Sequence, residues 1–120
     1  MLSRIGFLTI LSLLTQASPT FAASCQDAER LMEQAGSSGK SESLLREALR
    51  TCPNHVVALN NLALLLEDAG RLKEAETYYR RATEADPKNP APWAGLGDVH
   101  AAQAQPTEAV IAYMRFLDLL

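Results

Sequence analysis

A chain of 120 residues has room for one domain, and 48% hydrophobic residues with only 6% aromatics suit Ala- and Leu-rich helices better than sheets. Residues that favour strands are too sparse after residue 22 to build several of them. A formal charge of −3 argues against a nucleic-acid partner, because binding along a phosphate backbone needs clustered Lys and Arg.

The first element is not expected to join the fold. Arg4 precedes a ten-residue apolar run, Ile5 to Leu14, and a stretch ending in Thr20-Phe21-Ala22-Ala23 follows it. A positive start, a short apolar middle and a small-residue exit are the parts of a secretory signal peptide. The run is short for a membrane span, which takes about 20 residues. A buried helix or an uncleaved anchor is the competing reading. Small residues at Thr20 and Ala22 favour a cut after Ala22, so residues 1–22 are expected to be the leader and residues 23–53 the first unit of the mature chain. That chain keeps ten basic and fourteen acidic residues, a net charge of −4. Its expected location is the periplasm or the exterior, and it meets the membrane only through the leader.

Helices are then expected near 25–35 and 41–51, separated by the turn Gly36-Ser37-Ser38-Gly39. From Val56 the apolar residues Leu59, Leu62, Ala63 and Leu66 recur at three- and four-residue spacing, one stripe of a helix over 55–69. Gly70 ends it, since glycine takes the left-handed conformation of many helix exits. Leu72, Ala75, Tyr79 and Ala82 mark a helix over 72–85, closed by Asp86-Pro87. Pro90 and Pro92 fall in the first turn of a helix over 90–104, where a missing N–H costs little. Pro106 opens a last helix over 107–119, with Ala109, Tyr113 and Phe116 expected on its inner face.

Sliding the chain by 34 residues superimposes Pro53 on Pro87, Leu62 on Leu96, Glu74 on Glu108, Ala75 on Ala109, Tyr79 on Tyr113 and Arg81 on Arg115. The same shift places Ala35 on Ala69, Gly36 on Gly70, Arg46 on Arg80 and Ala48 on Ala82. A fixed period of this length is the mark of a stacked repeat. The spacing Trp93-x2-Leu96-Gly97-x2-His100, followed by Ala109-x3-Tyr113, resembles the tetratricopeptide repeat, with His100 where that pattern has Tyr. Residues 54–87 repeat it through Leu59, Leu62-Ala63, Leu66, Ala75, Tyr79, Ala82 and Pro87. The resemblance implies an all-α solenoid of stacked antiparallel helical hairpins, with clear repeats at 54–87 and 88–120 and a degenerate one at 23–53. In that first unit Glu29 replaces the small Ala63 and Gly97, and Ser41 replaces Ala75 and Ala109.

Cys25 and Cys52 flank the first hairpin symmetrically about its turn, so the two helices set them opposite each other at its open end. A disulfide fits that placement and an oxidising compartment. Two other readings stay open: Ala22-Ala23-Ser24-Cys25 is a loose lipoprotein box that would lipidate Cys25, and Cys52 with His55 offers an incomplete metal site.

Nothing assembles a catalytic centre: there is no phosphate-binding glycine loop, no paired metal motif, and no nucleophile with a matching His and acid. His100 reads as packing and His55 as a connector, and neither a cofactor nor a metal is expected. By the resemblance, the first helix of each unit lines a concave groove, and the groove-facing positions are Gln26, Arg30, Glu33, Asn60, Leu64, Glu67, Asp68, Ala94 and Asp98. Asn60 and Asn61 are placed to hydrogen-bond a peptide backbone, and Asn60 and Glu67 are expected to be exposed. The first helices of the second and third units contain no Lys or Arg. A clamp for a peptide's terminal carboxylate is therefore disfavoured, and a basic or neutral segment fits better. The function implied is a non-catalytic adaptor of the bacterial cell envelope that binds a protein or peptide segment. The alternatives are an oligomerisation module packing through an apolar C-terminal end at Phe116 and Leu119, or a regulatory fragment of a larger protein or enzyme.

Overall fold

The computed structural model describes residues 21–36 and 41–120. The apolar run from Ile5 to Leu14, and with it most of the expected leader, lies outside the described residues, as do Ser37, Ser38 and Gly39 of the first turn. Among the described residues there are six helices and no strand: α1 Phe21–Gly36, α2 Ser41–Thr51, α3 Val56–Asp68, α4 Leu72–Ala85, α5 Pro90–Ala102 and α6 Pro106–Asp118. Five match the expected spans to within two residues. α1 starts four residues earlier than expected, because Phe21-Ala22-Ala23-Ser24 contains no helix breaker.

The helices pack as hairpins α1/α2, α3/α4 and α5/α6, and α2 on α3 and α4 on α5 join one hairpin to the next. α3 also touches α5 directly. The first helices of successive units thus lie on the inside of the stack and the second helices on the outside.

Three helix starts have a polar side chain as their local cause. His55 sits at the N-cap of α3 and its Nδ1 accepts from the Ala58 N–H at 3.2 Å. The Asn89 side chain accepts from the Ala91 N–H at 3.1 Å, in front of Pro90. Both satisfy donors that the first helical turn cannot pair internally. Ser41 at the start of α2 donates its hydroxyl to the Ala35 carbonyl at 2.7 Å, tying it back to α1. Gly70 does take the left-handed conformation, with φ 75°.

The core is small and aliphatic. Leu59, Leu62, Ala63, Leu66, Ala75 and Ala82 are fully buried. Tyr79 of α4 reaches across the unit boundary onto α5, where a Cβ added at Gly95 would lie 2.3 Å from its ring. Within the third unit, the Tyr113 ring of α6 covers Gly97 of α5, at 2.5 Å from such a Cβ. These glycines let an aromatic ring lie against helix backbone.

Two further features secure the first unit, one within it and one across to the second. Cys25 and Cys52 are joined, with a Cα–Cα distance of 4.9 Å, so α1 and the end of α2 are stapled together. Across the α2–α4 boundary, Arg46 contacts Glu42 at 2.9 Å and Glu74 at 3.3 Å, while Arg71 contacts both acids at 2.9 Å. The two guanidinium groups hold the Glu42 and Glu74 carboxyls below their ordinary 4.5: hydrogen bonding from Arg46 leads for Glu42, and from Arg71 for Glu74.

Candidate binding groove

Residues on α1, α3 and α5 face the inside of the stack. Leu64 and Val57 are the apolar part of this surface, 49% and 50% exposed, and they lie two turns apart on one side of α3. Val57 was not among the residues the sequence singled out, although its seven-residue spacing from Leu64 marks the same stripe. Gln26, Arg30, Glu33, Asp68 and Asp98 are exposed, and Ala94 is half-buried. Arg30 is engaged by Asp27 at 3.1 Å, one turn away.

Asn60 and Asn61 part company. Asn60 is half-buried, against expectation, and its Oδ1 is fully enclosed without a hydrogen-bond partner. Asn61 is exposed and borders a cavity of about 190 Å3 with Met32, Ala35, Gly36, Ser41 and Leu45, between the first and second hairpins.

Glu67 also departs from expectation. It is half-buried and accepts the Tyr79 hydroxyl at 2.7 Å. The reason is the hairpin itself: Tyr79 is anchored in the core on α4, and its ring spans to the end of α3 with the hydroxyl emerging beside Glu67. In the next unit the Tyr113 hydroxyl donates to Asp98 at 2.6 Å. Burial, then the hydrogen bond to Glu67 and the charges of Glu67, Asp98 and Asp68, push the Tyr79 hydroxyl far above its ordinary 10. The bond to Asp98, followed by burial and the charges of Asp98 and Glu67, pushes Tyr113 up to about 12. Glu67 and Asp98 therefore act on both hydroxyls and Asp68 on that of Tyr79, so the three carboxylates form one negative patch. Among the described residues no Lys, Arg or His forms an ion pair with any of the three. The tyrosines were legible only as core residues, yet they fix where the carboxylates stand.

The remaining sequence candidates are structural. His100 is buried and its Nδ1 lies 2.7 Å from Gln105 Oε1, so it braces the α5–α6 turn. His55 caps α3, with Glu29 at 4.0 Å. The Cys52 sulfur is taken up by Cys25, so the Cys52–His55 metal reading has lost its thiolate.

Family models described as tetratricopeptide repeat match residues 25–90 and 66–115. Human tetratricopeptide repeat protein 7B is 32% identical over 90 residues, an alignment covering 75% of this chain and 11% of that protein. The uncharacterized protein ycf37 of Pyropia yezoensis is 44% identical over 46 residues, covering 38% of this chain and 26% of its own. Among solved structures, a mutant of Thermobaculum terrenum O-GlcNAc transferase matches with a TM-score of 0.72 and 27% identity, over 86% of this chain and 20% of that one. This chain thus spans about a tenth of the length of the human relative and a fifth of the transferase.

Proposed function

The chain belongs to the tetratricopeptide repeat family, a protein–protein interaction module, and from this we propose that it is a non-catalytic adaptor whose concave groove holds a basic or neutral protein segment. One observation carries the proposal. Glu67, Asp68 and Asp98 form one acidic patch on the helices that carry the exposed Leu64 and Val57, and no Lys, Arg or His among the described residues pairs with them. A carboxylate held by a tyrosine hydroxyl and left without a cation has free acceptor capacity for an incoming Lys or Arg. The apolar stripe beside it supplies the area that such contacts lack. The leader-like N-terminus and the Cys25–Cys52 bond support a periplasmic or secreted setting, with the adaptor serving an envelope assembly.

The test is peptide-library selection on the oxidised mature chain. Enrichment of Lys- or Arg-containing segments next to an apolar residue is expected. Asp68→Lys with Leu64→Ser should abolish it while helicity and melting stay unchanged, because both side chains are exposed. Glu67 is unsuited to this experiment, since Glu67→Lys also breaks the Tyr79 bond. Selection of acidic segments, or none, would remove the proposal.

A second reading rests on α6. Its exposed large apolar residues are Val110, Ile111, Met114 and Leu117, at 55% to 62%, whereas Phe116 and Leu119, the residues expected at the open end, are half-buried. The exposed set replaces Glu76, Thr77, Arg80 and Thr83 of α4 in the 34-residue register. If this face joins copies, Met114→Glu with Leu117→Glu should convert an oligomer to a monomer in light scattering. A parent chain already monomeric would end this reading.

A further inference from the structure

The outer side of the stack carries a site of opposite sign. Between α2 and α4 lies a cavity of about 350 Å3 lined by Arg46, Leu49, Arg50, Tyr78 and Arg81. Tyr78 is its centre: the guanidinium carbons of Arg46 and Arg81 stand 5.6 and 5.3 Å from the ring centroid. Arg46 also donates to the Tyr78 hydroxyl at 2.9 Å. Leu49 is buried beneath, so guanidinium groups surround an apolar floor and no carboxylate lines the cavity. A volume of this size lies at the lower end of ordinary ligand pockets.

The three arginines are not equivalent. Arg46 is engaged through all three nitrogens by Glu42, Glu74 and the Tyr78 hydroxyl, so it serves as a wall that fixes the ring. Arg50 contacts Glu47 at 2.7 Å through one nitrogen and is otherwise open, with its side chain 74% exposed. Arg81 gives one nitrogen to the Pro53 carbonyl at 3.0 Å and forms no ion pair with an acid among the described residues. With two arginines in ion pairs, the excess charge at the cavity is close to one unit, and it sits on Arg81. That balance matches a singly charged, planar group better than a phosphate dianion, which Glu42, Glu47 and Glu74 would repel. A guanidinium fork grips a carboxylate through two parallel hydrogen bonds, and the Tyr78 ring and Leu49 can cover the aliphatic stem behind it.

We propose that the cavity between α2 and α4 is a second binding site, one that takes a carboxylate side chain from an acidic segment of a protein partner. It is independent of the groove, because it lies on the other helices and selects the opposite charge.

The experiment uses the oxidised mature chain, an acetylated and amidated hexapeptide of alternating Glu and Gly, its Gln counterpart, and inorganic phosphate. Binding is followed by NMR at the arginine Nε–H groups and the tyrosine rings. The Glu peptide should produce saturable shifts at Arg50, Arg81 and Tyr78, and the Gln peptide none. Arg81→Gln should weaken the Glu peptide by about tenfold or more, the scale of a lost charged hydrogen bond. Arg50→Gln, at a more exposed position, gives the same direction if Arg81→Gln impairs folding, and Asp68→Lys in the groove should leave the shifts unchanged. Equal shifts with the Gln peptide, an unchanged affinity in the arginine variants, or saturation by phosphate at lower concentration than the Glu peptide would overturn the assignment.

Discussion

Gly95→Ala is the sharpest test of how the second and third units are joined. A Cβ at this position would lie 2.3 Å from Cε1 and Cζ of Tyr79 and 2.8 Å from its Cδ1, well inside contact distance. The ring has nowhere to go, since Tyr79 is 2% exposed and its hydroxyl is held by Glu67 at 2.7 Å. Either α5 moves off α4 or the ring leaves its rotamer and its bond. Overpacking of this kind costs about 1–3 kcal/mol, and replacing Gly by Ala inside a helix returns about 0.8–1 kcal/mol. With the ring trapped on all sides the cost falls in the upper part of that range, about 2–3 kcal/mol, so the net loss is about 1–2 kcal/mol, or roughly 5–15 °C in melting temperature for a domain of this size. Thermal and urea unfolding of the oxidised chain measure it. In a Tyr79→Leu background the obstructing ring atoms are gone, and the same substitution should become neutral or mildly stabilising, the coupling expected of residues in contact. Gly97→Ala, which meets Tyr113 within the third unit, should cost less, because Tyr113 is only half-buried at the end of the stack and can tilt outward. A Gly95→Ala protein that melts with its parent, or a loss that persists undiminished without the Tyr79 ring, would refute the reasoning.

Three further outcomes are expected. Cys52→Ser should destabilise the chain by about 3–4 kcal/mol on the loop-closure estimate for a sequence separation of 27, measured by urea unfolding with and without reductant. Glu42 and Glu74 have lowered carboxyl pKa values in the folded state, so their contribution is complete above the unfolded carboxylate range and fades as pH falls through the folded values; melting followed from pH 6 to pH 2 should lose part of its slope in Glu42→Gln with Glu74→Gln. Ala104 carries φ 58° at the place Gly70 holds in the preceding unit, so Ala104→Gly should raise stability by roughly 0.5 kcal/mol while Gly70→Ala lowers it, both read by thermal melting.

The repeat period made the fold legible. Once residues 54–87 and 88–120 fall into one register, helix ends, turns and hairpin pairing follow from Gly70, Pro87, Pro90 and Pro106 alone. The register also contained what was misjudged on α6, because comparing Val110, Met114 and Leu117 with Glu76, Arg80 and Thr83 marks the unusual surface directly. Glu67 was misplaced for a different reason. Helical periodicity assigns a residue to a side of its own helix, and the Tyr79 hydroxyl that encloses Glu67 comes from the neighbouring helix. His55 escaped notice as a cap because histidine is outside the usual capping set. The Arg46–Tyr78–Arg81 cavity was missed because the family pattern directs attention to the first helices, and these residues belong to the second.

Seen by helix, the modest net charge conceals a separation. α1, α3 and α5 together carry Asp27, Glu29, Glu33, Glu67, Asp68 and Asp98 against Arg30 alone. α2, α4 and α6 carry Arg46, Arg50, Lys73, Arg80, Arg81 and Arg115, almost balancing their own acids. Packed helix axes stand about 8–10 Å apart and each helix is about 10–12 Å across, so the two faces of the layer lie about 20 Å apart, more than twice the Debye length of about 8 Å at physiological ionic strength. The inner and outer surfaces are therefore screened from each other, and a ligand on one side senses little of the charge on the other. Salt should then weaken a basic segment in the groove and an acidic one on the Arg81 side alike, while exchanging the sign of a charge on one face leaves the opposite face's affinity nearly unchanged. If both proposed sites bind, a stack one hairpin thick holds two oppositely charged partners without either competing for the other's surface.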